Sequence, residues 1–277
     1  MNGGEAWIPA HRRLWLYGAA VLALAFLFLP TLIVVPMSFS DARYLEFPPR
    51  SWSFRWYANY AASPEWRSAT EVSLTVALLT TLVATPLGTA AAYALHTVRG
   101  RATRAAWAVL TLPMTVPVIL IAIGAFYLYA RLGLNNTIAG LTLAHSVLAL
   151  PLVMIAVGAG LRQFDMNQQR VAMSLGATPW KAFLTITLPQ IRVSVITGAL
   201  FAFITSLDEV VLALFISSGD AATIQKRMFD ALRDEIDPTV AVISTCLVVL
   251  SIAIVLAAQV LSRGPRRRRE DADAIGS

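Results

Sequence analysis

Apolar residues along this chain gather into six long runs, at about 14–37, 71–95, 105–130, 140–161, 192–216 and 238–261, separated by polar, charged or turn-forming segments. Each run holds roughly 20–26 residues, and at about 1.5 Å per residue a helix of that length crosses a hydrocarbon core of about 30 Å. The runs lack the apolar–polar alternation of barrel strands, so within lipid only helices satisfy the backbone. The pattern predicts an all-α membrane protein of about six transmembrane helices. The first run is too long for a signal-peptide core, and no small-residue cleavage pattern closes it, so it is read as a retained span. Pro86, Pro113, Pro117 and Pro151 are expected to kink or end helical turns.

Composition agrees, with 57% hydrophobic and 14% charged residues, too few polar groups to coat a soluble fold. Lys and Arg set the orientation. Arg12, Arg13, Arg99, Arg101, Arg104, Arg162, Arg170, Lys181, Arg192, Arg263 and the run Arg266 to Arg269 lie on one side, 14 of the 22; the other 8 lie opposite. The richer side is read as cytoplasmic, which places both termini there: an N-terminal segment 1–13, a membrane domain 14–261 and a basic tail 262–277. The net charge of +6 is not arranged as a basic stripe interleaved with aromatics, so nucleic acid is not an expected partner. The arginine run suits either a solvated tail or a site for anionic lipid. The one cysteine, Cys246, excludes a disulfide or a cysteine-ligated zinc site within the chain.

The outer segment 38–70 carries Tyr44, Phe47, Trp52, Phe54, Trp56, Tyr57, Tyr60 and Trp66, an aromatic belt by the simplest reading. Within it, Ser63-Pro64-Glu65 has the form of a helix start. In the last outer segment Ile224, Met228, Leu232 and Ile236 recur every four residues among charges. An amphipathic helix over about 221–236 follows, resting on lipid or closing a pathway as a lid. Asp237-Pro238 caps the sixth span. His145, alone near the outer end of the fourth run, is read as a packing histidine.

The longest inner segment, 162–191, reads as a helix, a break at Gly176 and a second short helix that Thr178 caps and Pro179 begins. Trp180, Phe183 and Leu184 then share one face by spacing, an apolar knob that fits a groove on another protein. This segment resembles the EAA loop of binding-protein-dependent ABC importer permeases. Ala172, Leu175-Gly176-Ala177, Ile186 and Leu188-Pro189 match that pattern, while Arg170 and Val171 replace its Glu and first Ala. The likeness extends to Phe47-Pro48-Pro49, Ser53 to Tyr57, Leu112-Pro113, Pro117 and His145 to Pro151. The stretch Phe203 to Val211 is similar to permease subunits of spermidine/putrescine transporters of the PotC type.

The resemblance implies a type I ABC importer (MetI-like) permease fold in a bacterial inner membrane. It implies half of a translocation pathway for a polyamine or another small solute such as an amino-acid-like amine or opine. Ala172, Gly176, Ala177, Thr178, Pro179, Trp180 and Phe183 would form the coupling loop that docks on an ATPase. The implied partners are a second permease subunit (a heterodimer), two copies of the ATPase, an extracytoplasmic substrate-binding protein and membrane lipid. No cofactor is implied in this chain; ATP and Mg would be bound by the ATPase.

Asp208 and Glu209 stand inside the fifth apolar run, where each acid costs about 2.5–3.5 kcal/mol to place at mid-bilayer. Two readings stay open: carboxylates lining a pathway or gate for a cation, or structural groups that cap a broken helix or pair with a partner's arginine. No G-x-x-x-x-G-K-[ST], H-E-x-x-H or G-x-S-x-G motif occurs, so no ATPase or hydrolase activity is expected of this chain. A secondary carrier would show inverted repeats and interrupted helices in matching halves, and no convincing repeat is visible. An intramembrane protease would need two facing acids, which adjacent residues do not supply.

Overall fold

The computed structural model describes residues 14–98, 100–234 and 236–262. The N-terminal segment 1–13 and the tail beyond Ser262 lie outside the described residues. Among the described residues the regular structure is helical, with one isolated antiparallel bridge between Ser40 and Trp52. The chain divides into two compact units. One runs up to Ala62 and takes in Asp234 to Val249; the other runs from Ser63 to Arg233 and resumes at Leu250.

The first unit opens with α1 (Leu14–Met37), whose apolar window is entirely unburied. The segment after it is knit by aromatic contacts: Phe39 meets Tyr57 at 5.1 Å and Phe54 edge-on at 5.4 Å between ring centres. Trp56 donates its indole N–H to the Ala42 carbonyl at 3.0 Å. Helix α2 (Arg55–Ala62) follows, and its Asn59 donates to Thr239 at the start of α13 (Thr239–Ser262) at 3.0 Å. Asp237 accepts the Thr239 N–H at 2.8 Å, capping that helix as the sequence suggests.

The second unit begins at α3 (Pro64–Thr97), where Ser63 caps the N–H of Trp66 and Pro64 takes the first turn. The helix therefore starts about two turns before the apolar run at 71. The local start signal outweighs composition, and Glu65, Arg67 and Ser68 remain solvated on the added turns. Trp66 is 4% exposed beneath the Arg227 guanidinium, 5.7 Å from its ring centre, so it is no part of an aromatic belt.

The third apolar run is not one continuous helix. It divides into α4 (Arg101–Thr111), a 3₁₀ turn (Leu112–Met114) and α5 (Val118–Leu132), bent by 95°. Pro113 lacks an N–H and lies in the 3₁₀ turn, past which the Val116 N–H still reaches the Leu112 carbonyl at 3.2 Å; Pro117, also without an N–H and extended at ψ 126°, then separates that turn from α5. Pro86 and Pro151 instead sit inside uninterrupted helices, the latter in α6 (Ile138–Gln163). The fifth run is also broken: α10 (Arg192–Asp208) ends at the acids and α11 (Val211–Ile216) resumes after them. Before that break, an 80° bend at Ile191 separates Pro179–Gln190 from Arg192–Asp208. Four helices are long and apolar enough to cross a membrane, or up to six if Arg101–Met114 with Val118–Leu132, and Pro179–Gln190 with Arg192–Asp208, each count as one span.

Helices α3, α6 and α10 form the frame of this unit. Val153 of α6 is fully buried between two glycines: a Cβ on Gly88 of α3 would fall 2.7 Å from the Val153 Cβ, and one on Gly198 of α10 would fall 3.1 Å from its Cγ1. In lipid, where apolar side chains gain little by meeting each other, such close backbone approach is what holds helices together. One apolar cluster around Val153, Val157 and Leu161 joins α3, α6 and α10; a second, around Val76, Leu141 and Leu212, joins α3, α5, α6 and α11.

Candidate coupling surface and pathway site

Between α6 and α10 the chain folds into a compact loop. Asp165 caps α7 (Met166–Ser174) by accepting the Asn167 N–H at 3.0 Å. At its end Gly176 has φ +92°, the Ala177 N–H reaches the Ala172 carbonyl at 3.1 Å, and the Gly176 N–H reaches Met173 at 3.0 Å. That paired closure needs a left-handed residue, which glycine supplies without a side-chain clash. Thr178 accepts the Lys181 N–H at 3.3 Å and Pro179 opens α8 (Pro179–Ala182). A π-helical turn (Phe183–Thr187) and α9 (Leu188–Gln190) lead into α10.

The face this loop presents differs from simple helical spacing. Trp180 is 69% exposed and Leu175 84%, whereas Phe183 is buried, its ring 4.6 Å from that of Tyr93 on α3. Phe183 therefore anchors the loop from below, with Trp180 stacked on it at 5.9 Å, and is not available to a partner's groove. Ala172 and Ala177 are half-buried, and Gly176, Thr178 and Pro179 are exposed. Leu175 carries no periodic signal; its cues are its place directly before the turn glycine and its match to the EAA-loop pattern.

Gln169 is the other anchor. It is 4% exposed, its side-chain carbonyl accepts from the Thr187 hydroxyl at 2.7 Å, and its amide donates to the Tyr93 hydroxyl. One buried amide thus ties α7, the π turn and the end of α3. A glutamine in a polar loop gives no sign of this in the sequence.

At the fifth-span break, α10 stops at Asp208 and Glu209 is extended at φ −77°, ψ 110°. A Glu209 carboxylate oxygen accepts the Leu212 N–H at 2.9 Å, capping the chain's return to helix. Asp208 is exposed and makes no hydrogen bond or ion pair among the described residues. The two acids are thereby divided, one engaged by backbone and one free. Just before them, Ser206 meets His145 Nδ1 at 2.8 Å and Thr80 at 3.4 Å, so α10, α6 and α3 share a buried polar contact within one turn of Asp208. His145 is 1% exposed, a packed histidine. Gln225 donates to the Leu207 carbonyl at 2.6 Å from α12 (Ile224–Asp234), a partner that lies outside the apolar run and leaves no sequence signal.

A family model described as "Binding-protein-dependent transport system inner membrane component" matches residues 84–267. The chain belongs to this family. It is 30% identical to the putrescine transport system permease protein PotI of Escherichia coli (strain K12), over 95% of this chain and 96% of that one. It is 31% identical to the spermidine/putrescine transport system permease protein PotC of Haemophilus influenzae, over 86% and 93%. Among solved structures it resembles a bacterial ABC transporter involved in import of the acidic polysaccharide alginate, with TM-score 0.70, 17% identity and coverage of 91% and 96%. It also resembles the alginate transporter in complex with a pentasaccharide-bound periplasmic protein, with TM-score 0.69. At that identity the likeness shows the fold alone.

The protein is thus an inner-membrane permease component of an ABC importer, a transport protein rather than an enzyme. Its third and fifth runs are interrupted, so unbroken helices do not separate it from a secondary carrier; the family match does. Gln169→Leu is expected to strand the Tyr93 and Thr187 hydroxyls and destabilise the loop by about 1–3 kcal/mol. Limited proteolysis of the detergent-solubilised permease should then cut faster within 166–190, with little change elsewhere.

Proposed function

We propose that this permease imports a polyamine or closely related small amine, and that the inner loop 162–191 couples it to an ATPase. Similarity to PotI and PotC over most of the chain carries the solute reading. The free carboxylate of Asp208 supports it, since an ammonium group gains a charge-assisted hydrogen bond there that a neutral solute does not. Glu209 is the weaker pathway candidate because a backbone N–H already engages it.

The coupling reading is supported by a knob of Leu175 and Trp180 on a loop braced by Gln169 and Phe183. Its floor holds Ala172 and Ala177, and Gly176, Thr178 and Pro179 set its turn. Two copies of a P-loop ATPase, holding ATP and Mg, would receive this knob and its counterpart on a second permease subunit, a heterodimer by resemblance. Their closure on ATP would draw the two loops together and turn the pathway outward toward a solute-loaded binding protein. Both termini are placed in the cytoplasm, in keeping with 14 of the 22 basic residues on that side.

Affinity purification in mild detergent is expected to recover an ATPase and a second permease, with hydrolysis stimulated by polyamine-loaded binding protein. Trp180→Asp should leave membrane insertion intact and lower stimulated uptake roughly tenfold or more, as loss of a central apolar anchor does; unchanged uptake would sink the coupling assignment. Asp208→Asn should reduce putrescine uptake by roughly ten- to hundred-fold, the worth of a charge-assisted bond, and uptake of a neutral solute far less. Equal loss for both solutes would return Asp208 to a structural role.

A further inference from the structure

Helix α10 ends at Asp208, so the carbonyls of its last turn have no N–H waiting four residues on. Glu209 cannot help them, because a carboxylate only accepts and this one already holds the Leu212 N–H. Leu207 is 7% exposed, and its carbonyl is met at 2.6 Å by the side-chain amide of Gln225. An amide is suited to this position, since it donates without bringing a charge to a mostly buried site.

Gln225 stands on the first turn of α12, and that turn is itself fixed. The Ile224 N–H donates to the buried Ser73 hydroxyl on α3 at 2.8 Å, and Thr223 accepts the Lys226 N–H at 3.3 Å. Farther along, Phe229 and Leu232 are exposed, Lys226 pairs with Asp230 at 3.0 Å, and Arg227 covers Trp66. The helix is fixed at its start, half-buried through Asp230 and Ala231 apart from Phe229, and exposed at Leu232 to Asp234. One side chain reaches from it to the residue directly before the free carboxylate.

We infer that Gln225 is a positioning residue for Asp208: its bond to Leu207 sets the last turn of α10 and with it the direction of the pathway acid. The inference rests on reading Asp208 as a pathway carboxylate. If the amide is lost, the Leu207 carbonyl must find another donor by unwinding or rotating the turn. Neighbouring side chains on a helix diverge by about 100°, so a shift of one register position turns Asp208 away from its site.

Gln225→Met and Gln225→Leu both remove the donor without bringing in an ionisable group, the first keeping length and the second a shorter branched shape. Each is tested in the purified complex for yield, for the ratio of hydrolysis with and without polyamine-loaded binding protein, and for putrescine KM in proteoliposomes. The expected result is normal yield with the ratio lowered and the KM raised, together amounting to roughly five- to fifty-fold, the cost of one stranded acceptor. If one variant fails to assemble, the other carries the test. Wild-type ratio and KM in an assembled variant would overturn the positioning role even where Asp208→Asn still discriminates cation from neutral solute. A lowered ratio with unchanged KM, alongside equal loss of both solutes in Asp208→Asn, would overturn the link to Asp208.

Discussion

Hydrocarbon offers no hydrogen bonds, so a helix that breaks at membrane depth must have its freed backbone groups met by the protein itself. The layout of this permease follows from that constraint. The fifth span breaks after Asp208; of the groups released there, the Leu212 N–H is met by Glu209 from within the break and the Leu207 carbonyl by Gln225 from the helix outside it. An interruption that would be costly in an isolated helix becomes a small polar site with one acid engaged and one free.

The same packing that tolerates the break carries it. Val153 seated between Gly88 and Gly198 brings α3, α6 and α10 to close backbone approach, and the His145–Ser206–Thr80 contact repeats that three-way meeting nearer the acids. Toward the other end, Tyr93 of α3 holds both Phe183 and Gln169, so the inner loop proposed to meet an ATPase is fastened to the frame that also supports Asp208. A displacement at Trp180 therefore has a continuous packed route toward the fifth span. Interdigitated helices of this kind shift between discrete arrangements rather than deform smoothly.

Features fixed by a single local requirement were legible in the sequence. Gly176 is such a case, because the turn demands a left-handed residue, and so are the Ser63 and Asp237 caps and the apolar lengths of α1, α6 and α13. Features that depend on a distant partner were not. Proline could not decide where a span breaks, since Pro86 and Pro151 lie in continuous helices while Pro113 and Pro117 lie between two. Spacing placed Phe183 beside Trp180 for a partner, yet Tyr93 claims its ring. Gln169 and Gln225 look like ordinary polar loop residues until the residues they meet, Tyr93, Thr187 and Leu207, are brought to them by the fold.

If the inner loop couples the permease to an ATPase as proposed, that loop and the fifth-span acid belong to one moving frame. The most direct test of this is thiol accessibility at position 208, using Asp208→Cys in a Cys246→Ser background within the assembled complex, with a membrane-impermeant maleimide and with or without trapped ATP. Labelling from the outer face is expected to rise on ATP trapping, and Trp180→Asp to abolish the rise. Labelling indifferent to ATP, or a rise that survives Trp180→Asp, would contradict it.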